Sequence, residues 1–326
     1  MKNILVLLPY DETSKEKLVS AVKDKYNISF VNRKEQPEEY LSALKKANLI
    51  IGEVPNSDFQ FCENLEMLQS SSSGINYYIE GGKFPENAKL CCMTGVYGNV
   101  IAEHLLGMVL SLSRRIPEYR NQQNESKWKI LKFDKPLDES TVLILGAGDI
   151  GTTLAKWMRP MVGKIIGIRR TERAFPDCFD EMFTLEKLDE KLPEADFVIS
   201  VLPQTPETVK LFDERRLRLM KDDAIFVNGG RGSLIDQEAL LKVMSEGKFF
   251  GVGLDVTVPE PLPAEHPLWK QERLLITPHA AGNSCSLESP LERKIREFIL
   301  KNTLRWMNGE EPENLIDFNL GYKKNI

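Results

Sequence analysis

Short apolar runs alternate with longer stretches of helical periodicity along the first hundred residues. Runs at 3–8, 28–31, 49–54, 65–69 and 89–93 predict strands. Between them, residues 14–22 and 37–47 space their apolar positions as amphipathic helices do. Strands apolar along their whole length, interleaved with helices, predict a parallel sheet covered on both faces. Residues 100–116 are then apolar nearly all round, which predicts a helix buried between layers or domains. Residues 117–139 are polar, with Trp128 and Phe133 standing alone, and read as a boundary or an extended arm.

The rhythm restarts at Thr141. Strands are predicted at 142–145, 164–168, 197–201, 224–227, 251–256 and 274–276, and six strands with intervening helices suit a complete dinucleotide-binding domain. A last helix follows. Ser289-Pro290-Leu291-Glu292 combines a capping box with proline at the first helical position. Leu287, Leu291, Ile295, Phe298 and Ile299 form its expected buried stripe, Gly309 can end it, and it is placed to return to the first domain.

Length changes this picture little: 326 residues suit about two domains. Charge excludes more. A net charge of -5 lacks the basic excess of a duplex-binding surface, so no nucleic-acid partner is expected. No apolar run approaches bilayer length, so no membrane partner is expected either. The apolar N-terminus is short, lacks a small-residue cleavage site and reads as a buried strand rather than a signal peptide. The five cysteines are odd in number and include no Cys-x-x-Cys; Cys91 and Cys92, adjacent on a strand, would face opposite ways. Reduced thiols in a cytoplasmic protein fit best. Three histidines leave little material for a metal site, and none is expected.

The candidate chemistry begins at Gly146-Ala147-Gly148-Asp149-Ile150-Gly151, after one strand and at the start of a helix. Gly146 suits the tight turn, Gly148 the approach of a pyrophosphate to the backbone, and Gly151 close packing of helix on sheet. A plain tight turn is the competing reading. The next strand runs into Arg169-Arg170-Thr171, with no acid until Glu172. An acid there would bind the ribose diol of NAD, whereas arginine binds a 2′-phosphate in a bidentate fork, so NADP(H) is favoured and NAD(H) remains possible. A solvated charge pair at a strand end is the plainer alternative. S-adenosylmethionine sites also use glycine-rich turns but leave these arginines without a 2′-phosphate to bind.

Ligands of open α/β sheets bind at the carboxyl ends of the strands. Arg231 follows the strand at 224–227, Glu260 the strand at 251–256, and His279 the strand at 274–276. Arginine can hold a carboxylate and polarise a neighbouring ketone, histidine can donate a proton to the forming alkoxide, and glutamate can orient the ring and favour imidazolium. That set suits reduction of a 2-oxo acid, with the hydride coming from the cofactor. Singly, each also fits a plainer role: Arg231 a solvated loop residue, Glu260 a surface charge, His279 a structural histidine. Their joint arrival beside a nucleotide motif is what points to catalysis. His104, inside the apolar helix, and His266, in a proline-rich loop, are set aside.

These stretches, with 202–208, 228–236, 253–263 and 277–282, resemble the D-isomer-specific 2-hydroxyacid dehydrogenase family over nearly the whole chain, closest to its NADPH-preferring glyoxylate/hydroxypyruvate reductase branch. The resemblance implies two doubly wound parallel-sheet α/β domains, a flavodoxin-like substrate domain and a Rossmann cofactor domain, with the active site in the cleft between them. The substrate domain would be residues 1–99, completed by 287–326, and the cofactor domain 100–286. The resemblance assigns Arg231 to substrate, His279 to acid/base chemistry and Glu260 to partnering it. Ser73 and Gly74 would hold the substrate carboxylate through backbone N–H groups. Besides the glycine motif, Asp149, Ile150 and the 169–171 segment, it places Leu202, Pro203, Thr208, Gly230, Asp255 and Gly282 at the cofactor, with Asp255 either meeting the nicotinamide carboxamide or orienting the site. The chain departs from the family pattern at Ser73, where a small apolar residue is usual, and at Asn76, where an acid is usual. A homodimer formed through the cofactor domain is implied, with Trp128 either reaching the partner or merely exposed on the arm. The end near Ile326 leaves no room for the regulatory domain of many phosphoglycerate dehydrogenases, and Glu260 stands where a formate dehydrogenase would have glutamine. Two other readings stand beside the reductase: a corepressor-like nucleotide sensor, disfavoured by the lack of long disordered tails, and an NAD-preferring lactate-type dehydrogenase, disfavoured by the missing acid after Ile168. Tyr10, Val54, Met93 and Trp269 are candidates for the substrate side-chain pocket.

Overall fold

The computed structural model describes residues 1–318 and 322–323. The chain divides into two compact units, Met1–Tyr97 with Ser284–Ile326, and Gly98–Asn283.

In the first unit β1 (Lys2–Val6), α1 (Glu12–Val22), β2 (Tyr26–Phe30), α2 (Pro37–Leu44), β3 (Leu49–Ile51), β4 (Met67–Gln69), α3 (Asn76–Glu80) and β5 (Lys89–Cys91) follow one another. The strands pair in the order β2-β1-β3-β4-β5, all parallel, the flavodoxin-like order. Several strands are shorter than the apolar runs that predict them. The run at 49–54 leaves the ladder at Gly52, whose φ is +119°, yet Val54 beyond it is buried. Leu65 and Cys92 are likewise buried outside the strands. Apolar sequence reports burial, and a buried loop residue meets that demand without ladder pairing. For the same reason α2 stops at Leu44 although Ala47 is buried.

The second unit opens with α4 (Gly98–Ser113) and α5 (Ile116–Asn124). This corrects one expectation. The apolar stretch at 100–116 is not one buried helix: Arg115 turns through φ +57°, and Leu110 and Ile116 are exposed. The stretch at 117–139, read as a boundary or an extended arm, begins within α5, which has no buried residue. The remaining elements are β6 (Thr141–Leu145), α6 (Asp149–Met158), β7 (Lys164–Arg169), β8 (Glu181–Thr184), α7 (Leu188–Lys191), β9 (Phe197–Ser200), α8 (Glu214–Leu219), β10 (Ile225–Asn228), α9 (Gln237–Ser245), β11 (Gly251–Leu254) and β12 (Leu274–Ile276). They form a seven-stranded parallel sheet, β12-β11-β10-β9-β6-β7-β8. The seventh strand, β8, escapes sequence reading because it is an edge strand only partly buried, so no apolar run marks it. Side chains alternate between the two faces. Leu143, Leu145, Val198 and Phe226 enter one core, and Val142, Ile144, Phe197 and Ile225 the other, where α4 and α6 pack.

The helix α10 (Pro290–Met307) then joins the first unit. Ser289 caps it, its side chain accepting the Glu292 N–H at 3.2 Å. Leu291, Ile295 and Ile299 are buried, Phe298 is half-buried, and Leu287, expected in the stripe, precedes the helix and is exposed. Asn302 reaches the end of β4, donating to Gln69 Oε1 at 2.7 Å. Among the described residues no helix is long and apolar enough to cross a membrane. Cys62, Cys91, Cys92 and Cys178 are free and buried, and Cys285 is free and exposed. Burial pushes the Cys62 and Cys91 thiols up to about 12, which keeps them protonated and inert.

Candidate active site

Local sequence shapes the glycine turn after β6. Gly146 adopts φ +103°, and a Cβ on Gly151 would stand 2.2 Å from the Gly146 carbonyl oxygen, so helix and turn can be this close only without a side chain. Where α1, α8, α9 and α10 begin with an Asp or Ser that caps a backbone N–H, α6 begins at Gly148 with no side-chain cap. A Cβ there would meet nothing within 4 Å. Uncapped N–H groups at a helix N-terminus, with room beside Gly148, suit a pyrophosphate. Asp149 is exposed beside the turn and Ile150 half-buried.

The two arginines after β7 part company. Arg169 is buried, donates to the Ala174 carbonyl at 3.1 Å and keeps a buried Nε without a partner. Burial, and then neighbouring Arg173, pull its guanidinium below the usual arginine range. Arg170 and Thr171 are exposed. A buried, under-bonded guanidinium next to exposed cations fits an anionic group on the adenosine ribose.

Gly230 lies against Leu202: a Cβ on the glycine would be 2.4 Å from the Leu202 oxygen. Pro203 is exposed. Thr208 spends its hydroxyl inside its own loop, donating to the Pro203 carbonyl at 2.7 Å and accepting the Thr205 N–H at 2.8 Å, so it shapes that loop.

His279, Glu260 and Asp255 come together. His279 Nδ1 bonds Glu260 Oε2 at 2.7 Å, and Glu260 Oε1 accepts the Thr257 N–H at 3.1 Å. The carboxylate thereby fixes the ring, and a proton on Nδ1 leaves Nε2 to face a ligand. Both side chains are partly open to solvent. Arg231 follows β10, where Asn228 shapes the turn by donating to the Arg231 carbonyl at 3.0 Å and accepting the Gly230 N–H at 3.1 Å. Burial lowers the Arg231 guanidinium from the ordinary arginine range, and Glu260 nearby opposes that shift. Asp255, buried just past β11, accepts the N–H groups of Ala280 (2.9 Å) and Ala281 (3.2 Å) and the Thr277 hydroxyl (2.6 Å), while its carbonyl accepts the His279 N–H at 2.7 Å. It clamps the turn that carries His279 and leads to Gly282.

Sequence reasoning set aside one member of this cluster. His104, on α4, places Nε2 2.9 Å from Thr277 Oγ1 and 3.4 Å from Asp255 Oδ1. The available signal was a single titratable side chain on an otherwise apolar helix face. His266, also set aside, caps a backbone N–H, its Nδ1 accepting from Leu268 at 3.2 Å.

In the first unit Ser73 and Gly74 occupy the loop after β4, with Ser73 Oγ donating to the Met93 carbonyl at 3.1 Å. Of the pocket candidates, Val54 and Met93 are fully buried. Tyr10 packs edge-on against Phe30 and under Arg296, and Trp269 is half-exposed with its indole N–H on the Pro263 carbonyl.

Comparison with known proteins identifies the family. The family described as "D-isomer specific 2-hydroxyacid dehydrogenase, NAD binding domain" matches residues 106–281. A glyoxylate reductase of Korarchaeum cryptofilum is 34% identical over 231 residues, covering 68% of this chain and 67% of its own. The crystal structure of a D-isomer specific 2-hydroxyacid dehydrogenase family protein from Aeromonas salmonicida superposes with a TM-score of 0.85 at 29% identity, covering 97% of this chain and 99% of its own. An NADPH-dependent glyoxylate/hydroxypyruvate reductase from Sinorhizobium meliloti, solved with NADP and sulfate, shares the fold with a TM-score of 0.82 at 22% identity, covering 99% of this chain and all (100%) of its own. With its two parallel-sheet domains and its nucleotide turn, this chain belongs to the D-isomer specific 2-hydroxyacid dehydrogenases, a family of oxidoreductases.

Proposed function

We propose that the protein reduces a small 2-oxo acid of the glyoxylate or hydroxypyruvate kind to a D-2-hydroxy acid, with NADPH preferred over NADH. The observation that carries this reading is the 2.7 Å His279–Glu260 pair beside the half-buried Arg231. The hydride for the carbonyl carbon would come from NADPH when it is bound. Arg231 holds the substrate and draws electron density toward its carbonyl oxygen. His279 delivers the proton from Nε2 to that oxygen as the C=O π bond breaks, and Glu260 keeps Nδ1 occupied so that Nε2 is the donor. The Ser73 and Gly74 N–H groups hold the substrate carboxylate. The uncapped start of α6 suits the pyrophosphate, and Arg169 with Arg170 the 2′-phosphate; an NADP complex of a protein with this fold supports that choice.

The test is NADPH and NADH oxidation against glyoxylate, hydroxypyruvate, pyruvate, ketopantoate and phenylpyruvate, with His279→Ala as control. The variant is expected to lose about 10²–10⁴-fold in turnover and to bind NADPH as before. Near wild-type turnover in the variant would remove His279 as the acid. Tight cofactor binding with no turnover of any acid by the wild type would favour a nucleotide sensor.

A further inference from the structure

We propose that Glu53 sets the charge selectivity of the substrate-carboxylate loop, admitting monocarboxylate 2-oxo acids and rejecting dicarboxylates. This rests on the reading that Ser73 and Gly74 seat the substrate carboxylate. Glu53 follows β3, and the serine run follows neighbouring β4, so both stand at the carboxyl edge of the first sheet, where ligands of such sheets bind.

The Glu53 carboxylate occupies the start of that loop. Its Oε1 accepts the Ser70 hydroxyl at 2.7 Å, the Ser71 N–H at 2.8 Å, the Ser71 hydroxyl at 2.9 Å and the Ser72 N–H at 3.2 Å. Its Oε2 accepts the hydroxyl of buried Tyr78, whose ionisation is pushed up first by burial and then by this carboxylate. The other face of the loop is pinned as well. The Ser72 carbonyl accepts the Met93 N–H at 3.0 Å, and the Ser71 carbonyl accepts the Tyr97 hydroxyl at 2.7 Å. Among the described residues, the next two N–H groups, Ser73 and Gly74, meet no acceptor. The serine run that departs from the family pattern thus wraps an internal carboxylate and leaves two N–H groups for an external one.

Two consequences follow. The clamp fixes the loop, and it places a fixed negative charge one residue from the substrate's carboxylate, well inside the Debye length of about 8 Å. A monoanion meets that charge once, held by two N–H groups. A second carboxylate on the substrate adds further like-charge repulsion from Glu53.

The experiment compares wild type, Glu53→Gln and Glu53→Ala on glyoxylate and pyruvate against oxaloacetate and 2-oxoglutarate, at saturating NADPH. Glutamine keeps an oxygen for the Ser71 and Ser72 N–H groups and removes the charge. In Glu53→Gln the ratio of dicarboxylate to monocarboxylate kcat/KM is expected to rise about three- to fivefold, the scale of a partly exposed ion–ion interaction. In Glu53→Ala the KM of every acid should rise with kcat little changed, because the loop loses its clamp. An unchanged ratio in Glu53→Gln overturns the proposal, whatever happens to absolute rates. Binding of oxalate against oxamate to the NADPH holoenzyme, by calorimetry, gives the same comparison without turnover. A wild type inactive on all acids would defeat the reaction class, while the oxalate-to-oxamate ratio would still decide Glu53.

Discussion

His279 carries φ +53°, a backbone conformation rare outside glycine, and Asp255 holds it there through its carbonyl and the two N–H groups that follow His279. The family resemblance singles out Asp255, but its grip on the turn that carries His279 depends on β11 and β12 pairing side by side. Arg169 and Arg170 teach the same lesson in reverse. As adjacent letters they are equivalent, but strand alternation buries the first and exposes the second. Arg170→Ala is therefore expected to weaken NADPH about 10- to 100-fold, the worth of a charge-assisted hydrogen bond, with NADH affinity and the melting temperature unchanged. Fluorescence titration with both cofactors checks this, and equal losses for the two would contradict the 2′-phosphate reading.

Elements were readable where local chemistry and burial agree. The glycine turn, the Ser289 cap and the central strands carry their signals in adjacent residues. The edge strand β8 and the break between α4 and α5 do not, because pairing on one side only or a single left-handed residue leaves no periodic trace. At the scale of α6, Gly151→Ala is the sharp test. The added methyl would fall against backbone that cannot step aside. A loss of about 1–3 kcal/mol in stability and weaker binding of both NADPH and NADH are expected from thermal melts and titration. A variant that melts and binds like wild type would show that the helix can shift on its sheet.

For the molecule as a whole, the segment after α5 presents the largest puzzle of exposure. Trp128, Ile130 and Phe133 are each more than 80% exposed, an unusual outlay of large apolar surface on one short stretch. We propose that a homodimer formed through the second unit, as the family resemblance implies, covers these side chains. Trp128→Ser with Phe133→Ser is expected to shift sedimentation from dimer to monomer at micromolar concentration. A wild type that sediments as a monomer would leave the patch without that explanation.

Alternating apolar runs dictated two parallel-sheet halves, and the spacing of Gly146, Gly148 and Gly151 dictated a nucleotide turn, because both follow from periodicity and backbone sterics acting over a few residues. Arg231, Glu260 and His279 could be picked out for a related reason: a parallel strand has a defined carboxyl end, so each residue's place after its strand was already informative. The partnership of His104 with Thr277 and Asp255, the burial of Arg169, Val54 and Met93, and the wrapping of the serine run around Glu53 were out of reach. Each depends on side chains meeting across elements distant in sequence, and such meetings are settled by strand order, register and packing rather than by neighbouring residues.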